Sequence, residues 1–157
     1  MDLRSASFCH YLANVRSTGP LVGLSVLVID DSRETREALS ALLGYQGVDV
    51  MLAASGQAGL DLIATLGPEH LPDVLICDIA MPDEDGYVTL SRIREWEAMS
   101  DVIVPIPAIA FTASALRQEK LKAMSYGFNA HLTKPVMPER LYTTLAEMAR
   151  LRQVLMN

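Results

Sequence analysis

From Leu24 onward, short apolar runs alternate with longer segments whose apolar residues recur every three or four positions, and this rhythm constrains the fold more than any other feature of the chain. The runs are Leu24–Ile29, Val48–Ala53, Asp73–Cys77, Ile106–Phe111 and Ala130–Leu132. The first is almost wholly apolar and rich in β-branched residues, as expected of a strand covered on both faces. Pro105 and Pro107 confine the start of the fourth, since proline cannot donate to a ladder. Between the runs, Glu34–Leu43 carries Ala38, Leu39, Leu42 and Leu43 at helical spacing and closes at Gly44 and Gly47. Ser55 is a good N-cap for a helix presenting Leu60, Ile63 and Leu66, which stops at Gly67-Pro68. A third helix carries Val88, Leu90, Ile93 and Trp96, and a fourth is expected over Ser114–Tyr126, ended by Gly127. Pro138 opens the last at a position that tolerates proline, with Leu141, Leu145 and Met148 facing inward. Five strands alternating with five helices predict an α/β fold, a doubly wound parallel sheet with right-handed crossovers.

Residues 1–23 lack this rhythm and end in Ser17-Thr18-Gly19-Pro20, a linker composition, so they are expected to form an extension or linker with at most a short helix around Ser7–Val15. The main domain is expected over residues 24–157. Half of the 157 residues are apolar and 20% are charged, as in globular proteins, and that length suffices to bury a core. A net charge of −6 with scattered Lys and Arg argues against direct nucleic-acid binding. No apolar stretch approaches the ~20 residues that span a bilayer, and the N-terminus has no signal-peptide core. No membrane insertion and a cytoplasmic location are the expectation. Cys9 and Cys77 have no metal-type spacing, and Cys77, inside an apolar run, reads as a buried thiol.

Three fragments at the ends of strands carry chemistry. Asp30-Asp31 follows the first run, Asp78 the third and Lys134-Pro135 the fifth. The carboxyl ends of parallel strands are where open α/β sheets build their crevices. Asp31 can also be read as a helix cap, because Asp31-x-x-Glu34 resembles a capping box. Asp78 shifts the balance, because its strand is expected beside the first, and three carboxylates at one edge repel unless a divalent cation joins them. Thr112 and Lys134, at the ends of the fourth and fifth strands, add a hydroxyl and an ammonium to the same crevice. This is an acidic site suited to Mg²⁺ and to an aspartate that accepts a phosphoryl group.

The ordered set Val28-Ile29-Asp30-Asp31, Cys77-Asp78-Ile79-Ala80-Met81-Pro82-Asp83-Glu84-Asp85-Gly86, Phe111-Thr112-Ala113 and Lys134-Pro135 resembles the receiver domain of two-component response regulators over about residues 24–150. The resemblance implies a flavodoxin-like sheet of order 2-1-3-4-5. It implies Asp78 as phosphoacceptor, Asp30 and Asp31 as holders of Mg²⁺, and the backbone carbonyl of Ala80 as a further ligand. Thr112 would hydrogen-bond the acyl phosphate and Lys134 would pair with a phosphate oxygen. The Lys134-Pro135 bond is typically cis in this family. Thr112 and His131 are the implied switch residues, His131 standing where the family usually has Tyr or Phe. Ala80 and Ser114 are small where family members often carry longer side chains. Met137 replaces the expected Asp or Ser cap of the last helix.

The resemblance also implies partners: a histidine kinase or phosphotransfer protein as donor, and a downstream protein met through the face of the fourth helix, fifth strand and fifth helix. The linker-like stretch before Leu24 fits a receiver at the end of a hybrid histidine kinase. The chain is expected not to be an enzyme, beyond taking part in its own phosphorylation and slow dephosphorylation. A pseudo-receiver serving only as an interaction module is the alternative, and the complete acidic set argues against it. A haloacid-dehalogenase-like phosphatase needs Asp-x-Asp where this chain has Asp30-Asp31-Ser32, and no glycine fingerprint for a dinucleotide follows the first strand. His10 lacks the helical bundle that a phosphotransfer histidine needs.

Overall fold

Five parallel strands lie in the order β2-β1-β3-β4-β5, in a computed structural model that describes residues 19–157. The strands are β1 (Ser25–Ile29), β2 (Asp49–Ala53), β3 (Val74–Asp78), β4 (Ala108–Thr112) and β5 (Ala130–Thr133). The helices between and after them are α1 (Arg33–Tyr45), α2 (Gly56–Leu66), α3 (Gly86–Met99), α4 (Arg117–Ser125) and α5 (Pro138–Met156). This is the flavodoxin-like order implied above. The expected helix around Ser7–Val15, Cys9 and His10 lie outside the described residues.

Side chains alternate across the sheet, so each strand feeds two cores. Leu27, Ile29, Leu75, Cys77, Ala108 and Ala110 pack with Ile63, Leu90, Ile93 and Ala123 of α2, α3 and α4. Val26, Val28, Val74, Ile76, Ile109 and Phe111 pack with Leu39, Leu43, Leu141 and Leu145 of α1 and α5. Burying such residues on both faces contributes roughly 1.5–3 kcal/mol per large side chain and fixes the register. Val28 lies beside Ile76, Cys77 beside Ala110, and Asp78 beside Phe111. Leu21, in the turn before β1, is also buried, so the fold takes in chain ahead of the first strand.

Most element ends fall within a residue or two of the sequence reading, and two starts depart from it by two residues or more. The fourth helix begins at Arg117, because Thr112 Oγ1 accepts from the Ser114 N–H (3.2 Å) and Ser114 Oγ accepts from the Leu116 N–H (3.4 Å). Such local bonds compete with helical ones. The fourth strand begins at Ala108, because the Ile106 N–H goes to the buried Glu97 carboxylate (2.7 Å), itself paired with Arg94 (2.7 Å). At the start of α5, Met137 makes no side-chain cap bond, as its apolar side chain requires.

Candidate functional site

The ends of β1 and β3, adjacent in the sheet, bring Asp30, Asp31 and Asp78 together. One carboxylate oxygen from each lies within 4.8 Å of the other two. Asp30 and Asp78 are buried and Asp31 is exposed, as expected of residues that successively leave a strand and enter a loop. Ser32, not Asp31, caps α1: its side chain accepts from the Thr35 N–H (3.3 Å). That frees Asp31 from the capping role and leaves it at the mouth of the acidic cluster. Beyond the bond of its N–H to the Ala53 carbonyl, Asp30 is held by three contacts. Its Oδ1 accepts from the Ser32 N–H (2.9 Å), its Oδ2 pairs with Lys134 Nζ (2.8 Å), and its carbonyl accepts from Arg36 Nη1 (2.8 Å).

Lys134 follows β5 directly and crosses to both buried carboxylates, with Asp78 Oδ1 at 3.4 Å. Its ammonium also stands 5.0 Å from the centre of the Phe111 ring, an attractive arrangement for a cation. Burial alone would lower its pKa, but the contacts with Asp30 and Asp78 outweigh that and raise it, so it stays charged. Asp78 Oδ1 accepts from the Ala80 N–H as well (3.2 Å). Even so, its pKa is pushed up to about 6, first by burial and next by the charge of Asp30, with Lys134 and the Ala80 N–H pulling the other way. One ammonium does not balance three carboxylates. The surplus negative charge and the all-oxygen donor set fit a hard divalent cation such as Mg²⁺.

The loop after β3 is fitted closely to this edge. Gly86 begins α3, its N–H bonds the Ile79 carbonyl (2.9 Å), and a Cβ there would collide with the backbone of Asp78 and Ile79. The Lys134-Pro135 bond is cis. Thr112 ends β4 beside Thr133, and its hydroxyl is engaged by the Ser114 N–H. His131 pairs with Ala110 two residues down the same ladder. By strand alternation Thr112 and His131 therefore share the face of the sheet that α4 covers.

The sequence model of the response regulator receiver domain family matches residues 26–146. The chain belongs to this family. It is 36% identical over 121 residues to an uncharacterized 14.6 kDa protein of Leptolyngbya boryana, covering 77% of this chain and 86% of that one. A probable histidine kinase 2 of Oryza sativa is 34% identical over 132 residues, covering 78% of this chain but only 12% of the kinase. Among solved structures, the receiver domain of the Saccharomyces cerevisiae response regulator Ssk1, crystallised with the histidine phosphotransfer signaling protein Ypd1, superposes with a TM-score of 0.74. It is 25% identical, covering 83% of this chain and 92% of that one. This chain is thus a receiver domain of two-component signalling.

Three contacts around the receiver's acidic edge were not legible in the sequence. Arg36 and Ser32 orient Asp30, and Phe111 lies beside Lys134. Glu84, in the loop after β3, pairs with Arg92 of α3 (2.7 Å), which also bonds the Gln57 side chain of α2. This ties the loop to two helices. The helical spacing that put Arg36 on α1 gave no sign that its guanidinium turns back to the Asp30 carbonyl. Among the described residues, no helix is long and apolar enough to cross a membrane.

Proposed function

We infer that this receiver is a phosphorylation-dependent switch that takes a phosphoryl group on Asp78 from a phosphohistidine of a kinase or phosphotransfer protein. The convergence of Lys134 on Asp30 and Asp78 carries the reading. Asp30, Asp31, Asp78 and the Ala80 carbonyl would hold Mg²⁺. A bound Mg²⁺ supplies Lewis-acid neutralisation of the phosphoryl oxygens.

The chain's own residues do the rest. In its ionised form Asp78 offers a carboxylate oxygen to phosphorus. A new O–P bond forms while the bond to the leaving group breaks and its electron pair departs with that group. Phosphoryl transfer of this loose kind needs positioning and charge stabilisation rather than proton chemistry. Lys134 supplies a fixed positive charge in a half-buried setting, where it acts more strongly than in water. The Ala80 N–H holds the Asp78 carboxylate itself and the Gly86 turn packs against the Asp78 backbone, so that the carboxylate keeps one direction. Thr112, at the neighbouring strand end, gives up the Ser114 N–H to bond the new phosphoryl group. His131 on the same face responds by moving inward, and the surface of α4, β5 and α5 changes shape for a downstream protein. On this reading the chain is a cytoplasmic switch and not an enzyme with a turnover substrate.

The test is phosphorylation with acetyl phosphate, followed by intact mass. Wild type should gain one phosphoryl group with Mg²⁺ and none with a chelator. Asp78→Asn should gain none under either condition. An equal gain by Asp78→Asn contradicts the reading, and a failure of both proteins to be modified favours the pseudo-receiver alternative.

A further inference from the structure

A groove of about 450 Å³ lies at the amino ends of the strands, the end of the sheet opposite the acidic cluster. The loop after α2, the loop after α3 and the last turns of α5 form its walls. Leu71, Val102, Ile103, Val104, Leu155 and Met156 make it apolar. Ile103 is 93% exposed and Met156 is 61% exposed, so much of this surface stands in water. An apolar surface of this kind marks a place that something covers. Its polar groups narrow the choice. Glu69 and Asp101 line the groove with no ion-pair partner among the described residues. Arg152 pairs with Asp73 (3.2 Å) and bonds the Pro72 carbonyl (3.3 Å), yet its Nε is buried without an acceptor. A buried donor left so is costly. The groove therefore suits an occupant with apolar side chains, positive charge and a free carbonyl.

The chain enters its first strand at this same end. The Asp73 carboxylate that pairs with Arg152 also accepts the Ser25 N–H at the start of β1 (2.9 Å). Ahead of Ser25, bonds from the Val22 N–H to the Gly19 carbonyl (3.2 Å) and from the Leu24 N–H to the Leu21 carbonyl (3.1 Å) close a turn. Residues 1–18 lie outside the described residues, but their sequence holds what the groove lacks. Phe8, Tyr11, Leu12 and Val15 recur at the spacing of one helix face. Arg4 and Arg16 outnumber Asp2, in a chain whose net charge is −6. The last carbonyls of a helix over Ser7–Val15 would be unpaired acceptors. Such a helix spans about 13 Å, comparable to the width of three strands ~4.8 Å apart. Its tether gives it an effective concentration on the order of millimolar, which favours it over a separate protein of equal chemistry. A second acidic copy would instead bring like charges against Glu69 and Asp101.

We propose that residues 1–18 fold back onto this groove of their own domain. Phe8, Tyr11, Leu12 and Val15 cover Ile103, Val104, Leu155 and Met156, while Arg4 and Arg16 face Glu69 and Asp101. The contact belongs to the end of the domain away from Asp78 and does not rest on the function proposed above.

The experiment uses the ¹⁵N-labelled full chain with a nitroxide attached at Cys9. Cys77 does not compete for the reagent, because it is buried and burial pushes its thiol far above the usual range, leaving no thiolate to react. The nitroxide is expected to broaden the amides of Glu69, Ile103, Val104 and Met156 and to spare those around Asp78 and Lys134. A second label position, Ser5→Cys/Cys9→Ser, should reproduce the pattern. The Phe8→Ser/Leu12→Ser variant, with changes confined to residues 1–18, should recover the lost intensity, and Ile103→Ser, at an exposed position, should recover part of it. Selective broadening from neither label position, broadening centred elsewhere, or broadening that survives Phe8→Ser/Leu12→Ser overturns the proposal. An equal mixture of spin-labelled unenriched chain and unlabelled ¹⁵N chain should show no broadening. Broadening there as strong as in the single species overturns the proposal in favour of a second copy of this chain.

Discussion

The Lys134 ammonium lies 2.8 Å from Asp30, a residue 104 positions earlier and wholly buried, and this pairing ties the carboxyl ends of β1 and β5 to one charge cluster. Removing Lys134 leaves the Asp30 carboxylate buried beside Asp78 with no cation in direct contact, since Arg36 bonds only the Asp30 carbonyl. Breaking a buried pair in this way costs roughly 3–5 kcal/mol when the remaining charge is fully enclosed. The opening at Asp31 should bring the loss to about 2 kcal/mol. Urea unfolding of Lys134→Ala without Mg²⁺ should show that loss. Added Mg²⁺ should restore much of it, since it binds only the folded form.

The same geometry divides the labour between metal and transfer. Asp31→Ala deletes an exposed carboxylate of the cluster and should weaken Mg²⁺ binding severalfold or more, by calorimetric titration. Lys134→Ala removes a competitor for the same oxygens. It should bind Mg²⁺ at least as tightly as wild type, yet accept phosphoryl groups at least tenfold more slowly. Equal loss of Mg²⁺ affinity in both variants contradicts this division.

Asp78 contributes instability at neutral pH in the absence of metal. Its folded-state pKa of about 6 lies above the ordinary 3.8, so the folded protein binds more protons between those values than the unfolded chain. Stability is therefore lost as pH rises through that window. Asp78→Asn removes the charge at nearly constant shape. It should be more stable than wild type by about 1–2 kcal/mol at pH 7 without Mg²⁺, and the gap should close below pH 4 or on adding Mg²⁺.

His131 titrates in the opposite sense. Burial, followed by Lys120 of α4 and Arg140 of α5, lowers its pKa below 6.5, with Glu119 of α4 opposing. The folded protein then binds fewer protons than the unfolded chain just below pH 6.5, so the stability this residue contributes is lost as pH falls through that range. A protonated ring is also the costlier one to move inward. Beryllofluoride-induced NMR shifts in α4 and α5 should shrink in wild type from pH 8 to 5.5 and hold steady in His131→Phe. The same decline in both proteins makes His131 a bystander.

Gly86 tests the backbone side of the account. Its missing Cβ accommodates the Asp78 carbonyl and the Ile79 Cα, which are backbone atoms and cannot swing aside. Gly86→Ala should cost about 2–3 kcal/mol in denaturant and slow phosphorylation through displaced Asp78. Thr89→Ala, also buried on α3 but with an unpartnered hydroxyl, should cost less.

The strands were legible because parallel strands buried on both faces read as continuous apolar runs, as Val26–Ile29 and Val74–Cys77 do, whereas their order came from the resemblance to receiver domains. The carboxylates could be placed because a strand end is a position that sequence reveals. What sequence did not reveal was the distribution of contacts among them. Nothing local says that Lys134 sits nearer Asp30 than Asp78, or that Ser32 takes the cap and leaves Asp31 free. The start of α4 was missed for a related reason. Hydroxyl bonds from Thr112 and Ser114 override helical spacing, and α4 buries only Ala123, so packing does not enforce the longer helix.

Chemical trapping of the phosphorylated chain tests the central claim most directly. Borohydride reduces an aspartyl phosphate to homoserine, which peptide mass spectrometry locates. After treatment with Mg²⁺ and a small phosphodonor, homoserine should appear at position 78 and at no other aspartate, Asp30 and Asp31 included. Homoserine at a different position, or a phosphoryl group that resists both borohydride and hydroxylamine, contradicts the assignment of Asp78 as the acceptor.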